Sequence, residues 1–125
     1  LFLSTIGPLR KHKARADFTT GFFQVGGFDI ESSPGTTDVP EAIKLTIDSG
    51  AKITVICGID PDYETFVPDF CQQLKAVAPE IKIILAGYPG DKEEAYKTAG
   101  LDDYIFVKSN VYEVNQQYLQ TLGVL

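Results

Sequence analysis

Lys52-Ile53-Thr54-Val55-Ile56-Cys57-Gly58 and Ile81-Lys82-Ile83-Ile84-Leu85-Ala86-Gly87 are two short apolar runs, each closed by a glycine. Between them Phe66, Val67, Phe70, Leu74 and Val77 recur at the three- and four-residue spacing of one helix face, and Pro79 ends the pattern. A strand that is almost continuously apolar is covered on both faces, because a solvated face would alternate with polar side chains. Two such strands joined by an amphipathic helix over 63–78 make a parallel strand-helix-strand unit. That unit sets the class as α/β.

Working outward, Leu1-Phe2-Leu3-Ser4-Thr5-Ile6 reads as a first strand and Phe28-Asp29-Ile30 as a short second one. Residues 7–17 read as a long polar loop, exposed and poorly packed, and 18–25 as a buried helix stopped by Gly26-Gly27. Residues 31–37 read as a Ser/Pro/Gly loop. Asp38 followed by Pro40 and Glu41 is a helix-start pattern, and that helix ends at Gly50. Pro68 falls within the first turns of the 63–78 helix, where proline is least costly. Asp91 with Glu94 caps a further helix ending at Gly100, and 103–107 is a fifth strand. Asn110 with Glu113 caps a last helix, whose apolar stripe is Val111, Val114, Tyr118, Leu119 and Leu122. Five strands alternating with helices fit a flavodoxin-like, doubly wound five-stranded parallel sheet of order 2-1-3-4-5 with helices on both faces. Ile53, Val55, Ile83 and Ile84 are then expected in its core. Ligands of such sheets sit at the carboxyl ends of the strands, which directs attention to the loops after Ile6, Cys57 and Ala86.

With 125 residues, positions 1–125 are expected to form one domain. Eight Phe and six Tyr supply a core, and no segment approaches the ~20 apolar residues of a membrane span. The absence of Met suggests a piece cut from a longer chain. A net charge of −6 repels phosphate backbones, so nucleic acid is not expected as a partner, and neither is a membrane. Two cysteines and one histidine cannot make a zinc site, so no metal is expected; the cysteines read as reduced thiols in a cytoplasmic setting.

Three kinds of site could stand at the strand ends. A receiver-type signalling domain needs an acidic pair after strand one and an aspartate closing strand three; Ser4-Thr5-Ile6 and Cys57-Gly58 stand there, and only Lys108 sits where a receiver's lysine would. An FMN site needs a hydroxyl- and glycine-rich phosphate loop after strand one, and Gly7-Pro8-Leu9-Arg10-Lys11 is not one. Arg10-Lys11-His12-Lys13-Ala14-Arg15 is the one anomaly of composition. It is a solvated charge run, a contact for a protein or domain, or a small-anion site, with His12 read as an exposed loop residue. Asp60-Pro61-Asp62-Tyr63-Glu64 reads as the acid-rich start of a helix, and Cys57 as buried packing rather than a reactive thiol.

Several segments taken in order carry a family resemblance: Phe2-Leu3-Ser4-Thr5-Ile6-Gly7, Arg15-Ala16-Asp17-Phe18-Thr19-Thr20, Gly26-Gly27-Phe28-Asp29-Ile30, Gly35-Thr36-Thr37, Ser49-Gly50-Ala51 and Leu122-Gly123-Val124. The chain resembles the C-terminal, cobalamin-binding-type domain of methylmalonyl-CoA mutase, in particular that of the small, non-catalytic subunit of the heterodimeric bacterial enzyme. The cobalamin-binding members carry Asp-x-His-x-x-Gly after strand one, the histidine ligating cobalt and the aspartate orienting it. With the histidine laid on His12, the aspartate falls on Arg10 and the glycine on Arg15. The family's serine-rich stretch after strand three is Cys57-Gly58 here, and its paired glycines after strand four are Ala86-Gly87. These departures imply a degenerate site and no cofactor in this domain, with no catalytic residue of its own. The resemblance further implies an assembly role in an isomerase that interconverts methylmalonyl-CoA and succinyl-CoA. The partner would be the catalytic large subunit, holding adenosylcobalamin. The alternative that His12 still ligates cobalamin stays open.

Overall fold

The computed structural model describes residues 1–123; Val124, part of the last segment of the resemblance, lies outside the described residues. The elements run β1 (Phe2–Thr5), α1 (Leu9–Gln24), β2 (Glu31–Ser32), α2 (Val39–Asp48), β3 (Ile53–Cys57), α3 (Asp60–Val77), β4 (Lys82–Ala86), α4 (Glu93–Ala99), β5 (Asp103–Ile105) and α5 (Val111–Thr121). The strands form one sheet in the order β2-β1-β3-β4-β5, every pairing parallel. This is the expected architecture.

The period of two along the strands sorts the core into two layers. Ile53, Val55 and Cys57 face α1 and α5, where Phe22, Phe23 and Tyr118 cover them. Ile56, Ile83 and Leu85 face the other way, against Tyr63, Phe66, Phe70 and Leu74 of α3 and Tyr96 of α4. Ile53, Val55, Ile83 and Ile84 are all buried, as expected. Polar groups on the α2 side are satisfied in a chain: Ser4 Oγ lies 3.0 Å from Thr46 Oγ1 and 2.7 Å from Thr54 Oγ1, and Thr54 donates to the Phe2 carbonyl.

The largest departure from the sequence reading is the stretch 7–17. It is not a loop; from Leu9 on it is the first half of α1. Leu, Arg, Lys and Ala are strong helix formers, and the charges that suggest a loop lie on a solvated face, with Arg10, Lys13 and Asp17 exposed. Pro8 precedes the first turn in an extended conformation, where its missing N–H costs nothing. The helix runs on through Phe18 to Gln24 and gives way at Gly26-Gly27.

Smaller corrections concern ends. The second strand is Glu31–Ser32, not 28–30, because the residues that reach β1 are set by Phe2 pairing with Glu31 and Leu3 with Ser32. Pro68 is well inside α3, which begins at Asp60 rather than Tyr63, so its missing donor interrupts the ladder beyond the first turn. Asp91 does not cap α4: a 3-10 turn over Gly90–Lys92 intervenes, and the helix start has no side-chain cap. The caps at Asp38 and Asn110 are as expected, accepting from the Glu41 and Glu113 N–H groups at 3.1 and 3.0 Å.

Candidate functional site

The carboxyl ends of β1, β3 and β4 bring together most of the residues singled out by sequence. Gly58 follows β3 and Gly87 follows β4, and the inward side of α1 stands over both. Arg15, in the second turn of α1, reaches across. Its Nη1 donates to the Gly58 carbonyl at 3.2 Å and to Asp60 Oδ1 at 2.7 Å. The guanidinium carbon lies 5.3 Å from the centre of the Tyr63 ring, a cation–π distance. Burial, the largest single influence, would lower the guanidinium's pKa, but Asp60 and Tyr63 together outweigh it and the charge is held more firmly than usual.

Gly87 supplies the far wall. Its φ of +133° is a conformation that side chains rarely adopt, and a Cβ there would lie 2.9 Å from the Arg15 guanidinium carbon. Tyr63 is the floor. Its phenol accepts from the Gly58 N–H at 2.9 Å and donates to the Ala86 carbonyl at 2.7 Å, joining the ends of β3 and β4. Burial pushes this phenol well above its ordinary pKa. Sequence reasoning missed Tyr63 as a site residue, since one tyrosine at a helix start carries no signal by itself.

His12 corrects the expectation of an exposed loop residue: its ring is 6% exposed. Positions 12, 19, 22 and 23 share the inward face of α1, a register that is invisible if the segment is read as loop. Nδ1 lies 3.1 Å from the Gly7 carbonyl oxygen, so Nδ1 carries the proton in that contact. The ring packs under Gly35, where a Cβ would come within 3.0 Å of Cε1. On its other side it borders a cavity of about 410 Å³ with Asp17, Thr20, Phe28 and Ser32. His12 thus serves the Gly7–Gly35 side, and Arg15, one turn later, the Gly58–Gly87 side. Arg10 is exposed, and the partner of His12 Nδ1 is the Gly7 carbonyl instead.

The basic run and the acidic cluster, read separately from sequence, meet here. Arg15 pairs with Asp60, and Lys11 lies 3.6 Å from Asp62. Lys13 pairs with Asp17 on its own helix at 2.6 Å. Asp60 and Asp62 do begin α3, as expected. Cys57 is fully buried with Sγ 3.6 Å from Thr19 Oγ1, and burial pushes its thiol up to about 12. Such a thiol is inert at neutral pH, in line with the packing role expected for it. Among the described residues no cluster of three or more His, Cys, Asp or Glu is arranged to hold a metal, and no helix is long and apolar enough to cross a membrane.

The fold and this strand-end cleft define a flavodoxin-like α/β domain. Solved structures that share the fold include a CheY-like protein from Pseudomonas aeruginosa PAO1, with a TM-score of 0.71 and 16% identity over 99% of this chain and 94% of that one. Another is a response regulator receiver domain protein from Methanospirillum hungatei JF-1, with a TM-score of 0.64 and 17% identity over 98% of this chain and 92% of that one. At such identities the likeness is one of fold. No protein-family model matches the chain.

In sequence the chain is similar, along nearly its whole length, to methylmalonyl-CoA mutase small subunits. It is 28% identical over 124 residues to that of Porphyromonas gingivalis and 27% identical over 124 residues to that of Streptomyces virginiae. It is 31% identical over 126 residues to a probable small subunit of Mycobacterium bovis. These alignments cover 98–99% of the chain but only 19–20% of the relatives, so the chain spans about a fifth of their length.

Proposed function

We propose that this chain is an assembly module of a methylmalonyl-CoA mutase small subunit, of the C-terminal cobalamin-binding type, whose cobalamin cleft has been closed by its own side chains. The observation that carries this reading is the position of Arg15. A nucleotide tail entering between the strand ends would need the space beside Gly58 and Gly87, and the Arg15 guanidinium fills it, held by Asp60 and stacked on Tyr63. The residues present do not fit the cofactor, and no step of the isomerisation is assigned to them. In this reading adenosylcobalamin belongs to the catalytic large subunit of a cytoplasmic heterodimer that interconverts methylmalonyl-CoA and succinyl-CoA. The small-subunit names of the relatives support the partner.

One observation favours the second reading, a working cobalamin domain with His12 as cobalt ligand. The Gly7 carbonyl gives the imidazole the acceptor that Arg10 cannot, and so leaves Nε2 as the unprotonated nitrogen. Against it, the ring is buried within the helix–strand packing rather than presented on a loop. Hydroxocobalamin titration separates the two: the free-cofactor spectrum stays unchanged in the first reading and shifts saturably in the second. The receiver reading rests on the fold and on Lys108 alone. Its acidic positions hold Ser4, Thr5, Ile6 and Cys57, and no stable complex with beryllofluoride and magnesium is expected.

A further inference from the structure

The Arg15 guanidinium stands between two cavities. One, of about 330 Å³, is bordered by Ala14, Phe18, Phe106 and Val107 as well as Gly87 and Arg15 itself. The other, of about 200 Å³, contains Asp60, Tyr63, Glu64 and Asp91. Tyr88 lines both. Arg15 bonds to Asp60 in the second and abuts Gly87 in the first, so withdrawing it would join an aromatic-walled groove to a pocket dominated by carboxylates.

We propose that this cleft is a binding site for a planar cation, an amidinium or guanidinium group, and that Arg15 is a built-in occupant holding it closed. Three features of the seat match such a group. The Gly58 carbonyl and the Asp60 carboxylate lie on the edge where planar N–H donors point. The Tyr63 ring offers its face. Gly87 lacks the Cβ that would otherwise come within 2.9 Å of the guanidinium carbon. Of the remaining charges at the pocket, Lys92 lies 3.9 Å from Glu64, while Asp91 and Glu64 keep the surroundings negative. The Tyr96 phenol registers that field: burial first, then Glu64, Asp60 and Asp91, push its pKa up. Both hydrogen bonds come from one nitrogen, Nη1, so the preference for a planar over a tetrahedral cation rests on the Tyr63 ring face and the close approach of Gly87, which a flat group fits and an ammonium does not.

The seat rests on the Arg15 geometry and not on the mutase resemblance; an unchanged hydroxocobalamin spectrum leaves it to be decided by the cation titration, which reads the seat itself. The test is benzamidinium binding to the 125-residue chain carrying Arg15→Ala, followed by the amide NMR signals of Gly58 and Gly87. Saturable shifts are expected with a dissociation constant on the order of millimolar, about tenfold or more tighter than for the unsubstituted chain. Benzylammonium should bind R15A more weakly, and Asp60→Asn in the R15A background should abolish the benzamidinium shifts. Arg15→Met, which keeps the aliphatic stem, is the parallel variant. Equal binding to the unsubstituted chain, no binding to a folded R15A, or equal binding of benzylammonium would overturn the proposal. Loss of folding in both variants would overturn it too, because Arg15 would then be a structural member and not a removable plug.

Discussion

Arg15 and Asp60, 45 residues apart in the chain, meet at 2.7 Å across the carboxyl end of β3. The contact ties α1 to the start of α3 and puts a cation against the positive end of the α3 dipole, where it is tolerated because Asp60 and Asp62 occupy the same turn. The Asp60 side chain is 68% exposed, so solvent screens the pair. Asp60→Asn is expected to destabilise the chain by no more than ~1 kcal/mol, read from the urea midpoint. A larger loss would mean that the pair supports the fold itself.

Tyr63 is a different case. Its phenol is buried and bonded to both the Gly58 N–H and the Ala86 carbonyl. Tyr63→Phe leaves both backbone groups without that partner and is expected to cost about 1–3 kcal/mol in denaturant unfolding. A neutral substitution would show that water or a backbone shift replaces the hydroxyl.

The two thiols give the chain an alkaline limit. Burial pushes both Cys57 and Cys71 up to about 12, above an ordinary value of 9.0. Below the ordinary value both states are protonated and stability is unaffected. Above it the unfolded chain releases protons that the folded chain keeps, so stability falls as pH rises from 9 toward 12. Cys57→Ala with Cys71→Ala should flatten the fall between pH 9 and 10, measured by urea unfolding at a series of pH values; above pH 10 the Tyr63 and Tyr118 phenols, also raised by burial, keep stability falling. Neither thiol should react with a disulfide reagent in the native chain at neutral pH faster than the chain opens.

The helix caps offer an internal control. Asp38→Ala and Asn110→Ala each remove a side-chain acceptor for a first-turn N–H and should cost about 1 kcal/mol apiece. Being on separate helices, α2 and α5, their effects should add in the double variant. Asp91→Ala, which removes no cap, should have little effect.

These contrasts show where the sequence was readable. The strands at 53–57 and 82–86 and the caps at Asp38 and Asn110 were legible because each signal is local: an apolar run, or an acceptor three residues before a donor. Helix α1 was not, because a cluster of cations looks like a loop until it is known that Asp60 and Asp62 neutralise two of them from another element. His12 followed from that error, since its burial depends on the helical register of a segment read as irregular. The positions of Arg15, Gly58 and Gly87 as candidate site residues were marked by the family resemblance. What filled the space between them, Tyr63 below and the guanidinium itself, depends on distances that no spacing in the chain encodes.

If the chain's own arginine closes the cobalamin cleft, titrating the 125-residue chain with hydroxocobalamin and following the visible spectrum will show it. At micromolar cofactor the spectrum of free hydroxocobalamin is expected at every point, with no saturating component. A saturating shift that disappears on His12→Ala would mean instead that the cleft is open, the cofactor entering past Arg15 and taking His12 as its ligand.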